Sequence, residues 1–103
     1  MLTGKQKRFL RAQGNTLKPL VILGKNGLTP TLVQSVAAAI EAHELVKINL
    51  LPTTDDTPQA VGDYLAEAIG GLQVAQTIGH TVLVYKPAFN PDHRKLSVEV
   101  AKL

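Results

Sequence analysis

Cysteine is absent from this 103-residue chain. Its absence excludes a disulfide scaffold, a thiolate metal site and a cysteine nucleophile together. Long apolar runs are absent too, because stretches such as 20–23 fall far short of the ~20 residues that a membrane span needs. No apolar segment follows the basic residues near the N-terminus, so we expect no secretory signal and a cytoplasmic protein. The length is that of one domain.

Acidic residues are absent from the first forty positions, which contain six lysines and arginines and therefore carry +6. The rest of the chain carries five basic and eight acidic residues, or −3, and the whole chain carries +3. A continuous segment of positive charge favours an anionic partner, such as a nucleic acid or another polyanion, over a role in solubility alone.

Three helices are predicted, each starting at a threonine. Thr3 and Gln6 fit a capping box, in which each side chain accepts a hydrogen bond from the backbone N–H of the other residue. Thr29-Pro30 and Thr57-Pro58 each place a proline at the first helical position after a capping residue. Helical phase turns Tyr64 of the third helix towards the core and the lysines and arginines of the first helix towards solvent.

Four strands are predicted at 18–23, 46–50, 72–78 and 81–86, the last two joined by a tight turn at Gly79-His80. The first of them is expected to be buried. Strands separated by a helix are expected to pair in parallel, and the hairpin adds an antiparallel strand. The predicted fold class is α/β: a compact α-β-α-β-α-β-β domain with a four-stranded mixed sheet and three helices.

Residues 88–103 are predicted to be a C-terminal tail after a domain that spans 1–87. Pro87 and Pro91 favour an extended segment. The alternation over 96–100 is compatible with a short strand if that strand finds a neighbour.

The loop Gly24-Lys25-Asn26-Gly27 separates a predicted strand from a capped helix. Its glycines allow positive φ and the close approach of a phosphate or sugar, and free N–H groups near Thr29 and Thr31 would attract an anion. Lys25 adds a charge, and Asn26 adds a donor and an acceptor. A Gly-x-x-Gly device of this kind clamps nucleotides in KH domains. A flexible strand-to-helix turn is the competing interpretation.

Enzyme signatures are lacking. The loop does not have the P-loop spacing, and no Gly-x-Gly-x-x-Gly fingerprint occurs. His43, His80 and His93 lie far apart in sequence, so we predict no metal site. We also predict no catalytic residue and no cofactor. His43, at a helix end, is more typical of a partner for the helix dipole.

Only four aromatic residues occur, and Phe9 falls in the predicted core with Tyr64. Tyr85 and Phe89 are the remaining candidates for base stacking, and a structural role is favoured for each. A surface built on several stacked bases is therefore disfavoured, and recognition of RNA backbone and shape fits better.

Four segments of the chain resemble the CRM domain family, in its short bacterial form. They are Leu17-Lys18-Pro19, the stretch 23–29 (Leu-Gly-Lys-Asn-Gly-Leu-Thr), the stretch 43–48 (His-Glu-Leu-Val-Lys-Ile) and the stretch 78–87 (Ile-Gly-His-Thr-Val-Leu-Val-Tyr-Lys-Pro). His80 departs from the lysine and Lys86 from the arginine that are frequent in relatives.

The resemblance implies a fold similar to the C-terminal domain of translation initiation factor three. It also implies RNA binding in precursors of the large ribosomal subunit, with ribosomal RNA as the partner. We expect no membrane partner and no small-molecule substrate. The expected RNA-binding residues are Gly24, Lys25, Asn26, Gly27, Lys5, Lys7, Arg8, Arg11 and Lys18.

Two other functions are compatible with the same residues. The loop and helix start could bind a phosphorylated small ligand or a nucleotide. Alternatively, the chain could be a protein-interaction module that works through its acidic third helix.

Overall fold

The computed structural model describes residues 2–103, which form a four-stranded sheet, four α-helices and one 3-10 turn. In chain order these are α1 (Gly4–Gly14), β1 (Val21–Leu23), α2 (Pro30–His43), β2 (Leu45–Leu50), α3 (Pro58–Ala68), β3 (Gln73–Ile78), β4 (Thr81–Tyr85), the 3-10 turn (Pro91–His93) and α4 (Leu96–Ala101). None of the helices described is long and apolar enough to cross a bilayer.

The three predicted helix starts are confirmed. Thr3 Oγ1 accepts the Gln6 N–H at 3.1 Å, and Gln6 Oε1 accepts the Thr3 N–H at 2.9 Å, which completes the capping box. Thr29 Oγ1 and Thr57 Oγ1 cap α2 and α3 by accepting the N–H three residues along, from Leu32 and Ala60, and a proline follows each threonine. Each signal lies within four residues of chain, so it needs no tertiary contact to act.

The sheet order is β1-β2-β4-β3. The predicted parallel pairing is confirmed for β1 with β2, which α2 connects. It is wrong for β2 with β3, because β4 lies between them and pairs antiparallel with both. The hairpin turn is the predicted one, with Gly79 at φ +56 in the first position of a two-residue loop.

Each face of the sheet is covered by its own pair of helices. Alternate residues of β2 and β4, such as Val46 and Val84, pack under α2 and α3. Leu45 and Leu83, which point to the opposite face, pack under α1 and α4. The end of α1 lies so close to the sheet that a Cβ at Gly14 would meet Leu83 Cδ2 at 2.7 Å.

Two burial predictions are wrong. β1 is an edge strand that is buried on one face only: Val21 and Leu23 lie in the core, whereas Ile22 is 59% exposed on the face that α1 leaves uncovered. Tyr64 of α3 is 47% exposed instead of packed in the core. A four-residue apolar run does not reveal from its sequence whether both of its faces will be covered.

The chain beyond residue 87 is not extended, and the strand expected at 96–100 is the helix α4. Val100 is buried against α1 and the sheet, and Gln6 Nε2 of α1 donates to the Val100 carbonyl at 3.1 Å. Ser97 and Val100, the two buried residues of α4, are three apart, which is the helical spacing. The alternation of the sequence was therefore misleading over so short a segment.

Candidate nucleic-acid interface

The Gly24–Gly27 loop lies at the edge of the sheet where β1 and β2 end. Its turn is closed by a hydrogen bond in which the Gly27 N–H donates to the Gly24 carbonyl at 3.0 Å. Lys25 and Asn26 stand at the centre of this turn and are both exposed. Both side chains are thus accessible to a partner.

The two glycines of the loop differ. Gly27 has φ +64, which a residue with a side chain rarely adopts, whereas Gly24 has no positive φ. A Cβ at Gly24 would make only an ordinary contact with Leu51 at 3.6 Å. The positive φ that the loop's glycines allow is therefore adopted at Gly27 and not at Gly24.

The start of α2 offers fewer free donors than the sequence suggested. Pro30 has no N–H, and Thr29 Oγ1 accepts the Leu32 N–H at 3.1 Å. Of the first three helical positions, only Thr31 keeps an N–H for an outside acceptor. A phosphate here would depend on Lys25 more than on the helix terminus.

One acid lies against the loop. A Cβ at Gly27 would meet Asp56 Oδ2 at 2.8 Å. This carboxylate is held in place because Thr54 Oγ1 donates to it at 3.3 Å. The loop therefore presents an anionic side at Gly27 and a cationic side at Lys25.

The cations of α1 share one surface. Lys5, Lys7, Arg8 and Arg11 are all exposed, and at 3.6 residues per turn they occupy an arc of about 160°. Leu10 is buried on the other side of the helix. Across residues 2–103 the one ion pair joins His93 to Glu41, so these four side chains have no carboxylate partner.

The basic helix and the glycine loop are carried by different parts of the fold. α1 packs across β2 and β3, and the loop follows the edge strand β1. Lys18, also exposed, lies on the segment that connects them. The hairpin residue His80 shares the loop's edge of the sheet, since its carbonyl accepts the Leu50 N–H at 2.7 Å.

The two aromatic candidates for base stacking differ in burial, and the structural role favoured from the sequence is supported for Tyr85 only. Tyr85 is 3% exposed, and its burial, together with the charge of Glu44, raises its pKa to about 12. It cannot stack on a base. Phe89 is 84% exposed, so a structural role for it, favoured from the sequence, is not supported.

Two glutamates at the end of α2 were not singled out from the sequence. Glu41 accepts hydrogen bonds from the N–H groups of Phe89 and Asn90 at 2.7 and 3.1 Å and contacts His93 Nδ1 at 3.0 Å. The two backbone donors, followed by His93, lower its pKa to about 2. Glu41 thus fastens the chain after β4 to α2.

Glu44 performs the same task inside the protein. It is 1% exposed, and its carboxylate accepts the N–H groups of Ala88, Lys95 and Ser97 at 2.8–3.1 Å. Burial alone would raise the pKa of Glu44, but the hydrogen bonds from Ser97, Ala88 and Lys95 outweigh it and hold the pKa below its ordinary value. Glu44 also has φ +65, a conformation for which its sequence gives no signal.

The described residues contain no cluster of three histidine, aspartate or glutamate side chains able to hold a metal ion.

A four-stranded mixed sheet, helices on both of its faces and a glycine turn beside an acid-free basic segment define a small α/β domain with a cationic surface. The chain belongs to the CRS1/YhbY (CRM) domain family, whose profile matches residues 2–86. The predicted family and the predicted fold class are thereby confirmed, with α4 as an addition to the three expected helices.

Relatives of similar length occur in bacteria. The chain is 40% identical over 86 residues to a Bacillus subtilis protein named "Probable RNA-binding protein YqeI", covering 84% of this chain and 88% of that one. It is 36% identical over 87 residues to a Haemophilus influenzae protein named "RNA-binding protein", covering 84% and 87%. A solution structure of a hypothetical protein from Staphylococcus aureus matches with a TM-score of 0.67 and 26% identity, covering 92% of this chain and 98% of that one.

Proposed function

We propose that this chain is a non-enzymatic RNA-binding protein that acts in assembly of the large ribosomal subunit. The names of its relatives support RNA as the partner. The observation that carries the proposal is the exposed, unpaired set of cations on α1 and the loop, within a forty-residue stretch that has no acid. A polyanion is the partner that such a surface attracts.

Binding proceeds in two parts in this proposal. The cations of α1 attract the RNA over long range, because their charge is not neutralised by neighbouring carboxylates. The backbone then docks at Lys25 and Asn26, which stand at the top of the closed turn. Asp56 repels phosphates from the Gly27 side, so the strand passes on the side of Gly24.

Recognition is of backbone and shape more than of a row of bases. The exposed aromatics are Tyr64, on the acidic third helix, and Phe89, beyond the family match. A series of stacking platforms is thus not available on α1 or on the glycine loop.

Charge reversal at both parts tests the surface. In the double variant Lys25→Glu/Arg8→Glu we expect RNA affinity to fall by a factor on the order of one hundred at low salt, because two attractive contacts become repulsive. The variant should remain folded, since both side chains are exposed. Filter binding of a large-subunit RNA fragment, with circular dichroism to check the fold, measures both effects.

The matched control is Lys95→Glu/Lys102→Glu, which makes the same change in net charge at two exposed lysines of the C-terminal segment. It should keep most of the affinity. Equal losses in the two double variants would show that net charge alone matters and would contradict the assigned surface.

The ribosomal part of the proposal has its own test. The protein should co-sediment with large-subunit precursors in low-salt extracts and leave them as the salt concentration rises. Sedimentation with small-subunit particles instead, or no sedimentation with either, would contradict the assembly role while leaving RNA binding in place.

A further inference from the structure

A groove of about 360 Å³ lies on the face of the sheet that α1 and α4 share, beside the edge strand β1. Four leucines form its apolar surface: Leu17, Leu20, Leu45 and Leu96. Leu17 and Leu20 are 36% and 54% exposed, so this apolar surface is open to solvent. The volume is within the range of small-ligand sites.

The polar groups of the groove are cationic or neutral. Lys18, Lys47, His43 and Gln13 line it, and no acid does. Lys47 Nζ donates to the Leu17 carbonyl at 3.1 Å, which fastens the segment before β1 to β2 and gives the groove its shape. Two of the three ammonium hydrogens of Lys47 remain for an anion.

From this combination we propose that the groove receives one unpaired nucleobase of the bound RNA. This inference rests on the proposed function and adds to it the kind of RNA that is bound. An unpaired base has apolar faces and a polar edge, and its nucleotide has a phosphate on each side. The groove has groups complementary to each of these features. The leucines contact the faces, the Gln13 amide and the His43 ring can each donate and accept at the edge, and Lys18 and Lys47 attract the flanking phosphates.

The groove adjoins the proposed interface through Lys18, which belongs to the expected RNA-binding set and lies between α1 and the glycine loop. An RNA strand on that surface therefore has a bulged or looped base within reach of the groove. A fully paired helix has no base to supply, because its bases are stacked and paired inside the duplex. The protein should accordingly prefer RNA with an unpaired nucleotide.

The test compares three RNA hairpins of one sequence: a fully paired stem, the same stem with a one-nucleotide bulge, and the bulged stem with an abasic nucleotide in place of the bulged base. We expect the wild-type protein to bind the bulged stem on the order of fivefold more tightly than the paired stem. The abasic bulge should bind no better than the paired stem, because it keeps the phosphate and bend but lacks the base.

The variant Leu20→Ser should lose the preference for the bulge while its affinity for the paired stem changes little. Ile22→Ser is the matched control: Ile22 is 59% exposed, two residues along on the same side of the chain, and is not part of the groove. Ile22→Ser should keep the preference.

The outcomes distinguish a failure of the base site from a failure of the proposed RNA-binding function. Equal binding of the abasic and intact bulges, or equal weakening of all three RNAs by Leu20→Ser, would overturn the base site while RNA binding stood. Binding of an acidic peptide in the groove with no effect of Leu20→Ser on bulge preference would assign the groove to a protein partner. Failure of the wild type to bind any of the RNAs would instead contradict the proposed function.

Discussion

At Gly27 both the backbone conformation and the neighbouring side chain favour glycine. Its φ of +64 costs a residue with a side chain about 1 kcal/mol or more, and a Cβ would approach Asp56 Oδ2 at 2.8 Å. We expect Gly27→Ala to lower the free energy of unfolding by about 1–2 kcal/mol. Gly24→Ala, with ordinary contacts and no positive φ, should change it by less than about 0.5 kcal/mol. Urea unfolding of the two variants measures the difference.

The variants Gly27→Ala and Gly24→Ala also distinguish two roles of glycine: allowing the loop conformation and allowing the close approach of RNA to the backbone. If RNA passes on the side of Gly24, the added methyl group of Gly24→Ala should weaken RNA binding about threefold to tenfold while stability is kept. Unchanged RNA affinity in Gly24→Ala would show that Gly24 does not face the strand.

Glu44 combines a buried carboxylate with three backbone donors. In Glu44→Gln an uncharged amide replaces the acceptor, and we expect a loss of about 2–3 kcal/mol at pH 7 because hydrogen bonds to a charged group are replaced by fewer, weaker ones. Thermal unfolding at pH 7 measures this loss. Glu67→Gln, at an exposed glutamate of α3, is the matched control and should unfold like the wild type.

The pH dependence of stability follows from the same two glutamates. The pKa of Glu41 is lowered from 4.5 to about 2, and that of Glu44 is lowered from 4.5. The unfolded chain therefore binds protons at a higher pH than the folded one does. The stability that these groups contribute is present above pH 4.5 and is lost as the pH falls towards 2. The melting temperature of Glu44→Gln should change less between pH 5 and 3 than that of the wild type, and an equal change would contradict this role.

At the scale of the elements, the sequence predicted those features that a few adjacent residues determine. Thr29-Pro30 and Thr57-Pro58 predict helix starts because capping involves the next three residues only. The position of β4 between β2 and β3 could not be predicted, since it depends on pairing between residues more than thirty apart. α4 was missed because five residues are too few to distinguish helical from strand periodicity.

The C-terminal segment is the element whose role is most open to test. The sequence predicts a tail separate from a domain at 1–87, yet Val100 packs in the core and Glu44 binds three N–H groups of 88–97. A chain ending at residue 87 would lose both the burial of Val100 and the three donors to Glu44, and we expect a loss of about 3–5 kcal/mol. Urea unfolding of the truncated chain measures it.

A chain ending at Ala101 is the control for this truncation. It lacks only two exposed residues, Lys102 and Leu103, and should be as stable as the full chain. If the chain ending at 87 unfolds with the full chain's stability, the boundary predicted from the sequence is a domain boundary and the contacts of α4 contribute little.

At the scale of the whole molecule, the sequence predicted the charge block but not its arrangement. The acid-free segment is visible in the sequence because it is continuous along the chain. The approach of Asp56 to Gly27 is not visible, because it joins two loops that only the sheet brings together. Whether α1 and the glycine loop contact the same RNA molecule also depends on how the fold places them, which the sequence does not reveal.

Salt dependence answers this question. With about four to six phosphate contacts, the logarithm of the binding constant should fall with the logarithm of salt concentration with a slope on the order of −3 to −5. Removing one contacting charge, as in Lys25→Gln or Arg8→Gln, should reduce the slope by about 0.7–0.9. The double variant should reduce it by about 1.4–1.8 if the same RNA touches both residues. Lys102→Gln, on the exposed end of the chain, should leave the slope unchanged. A double variant with no larger effect than one of the single variants would mean that only the helix or only the loop contacts the RNA.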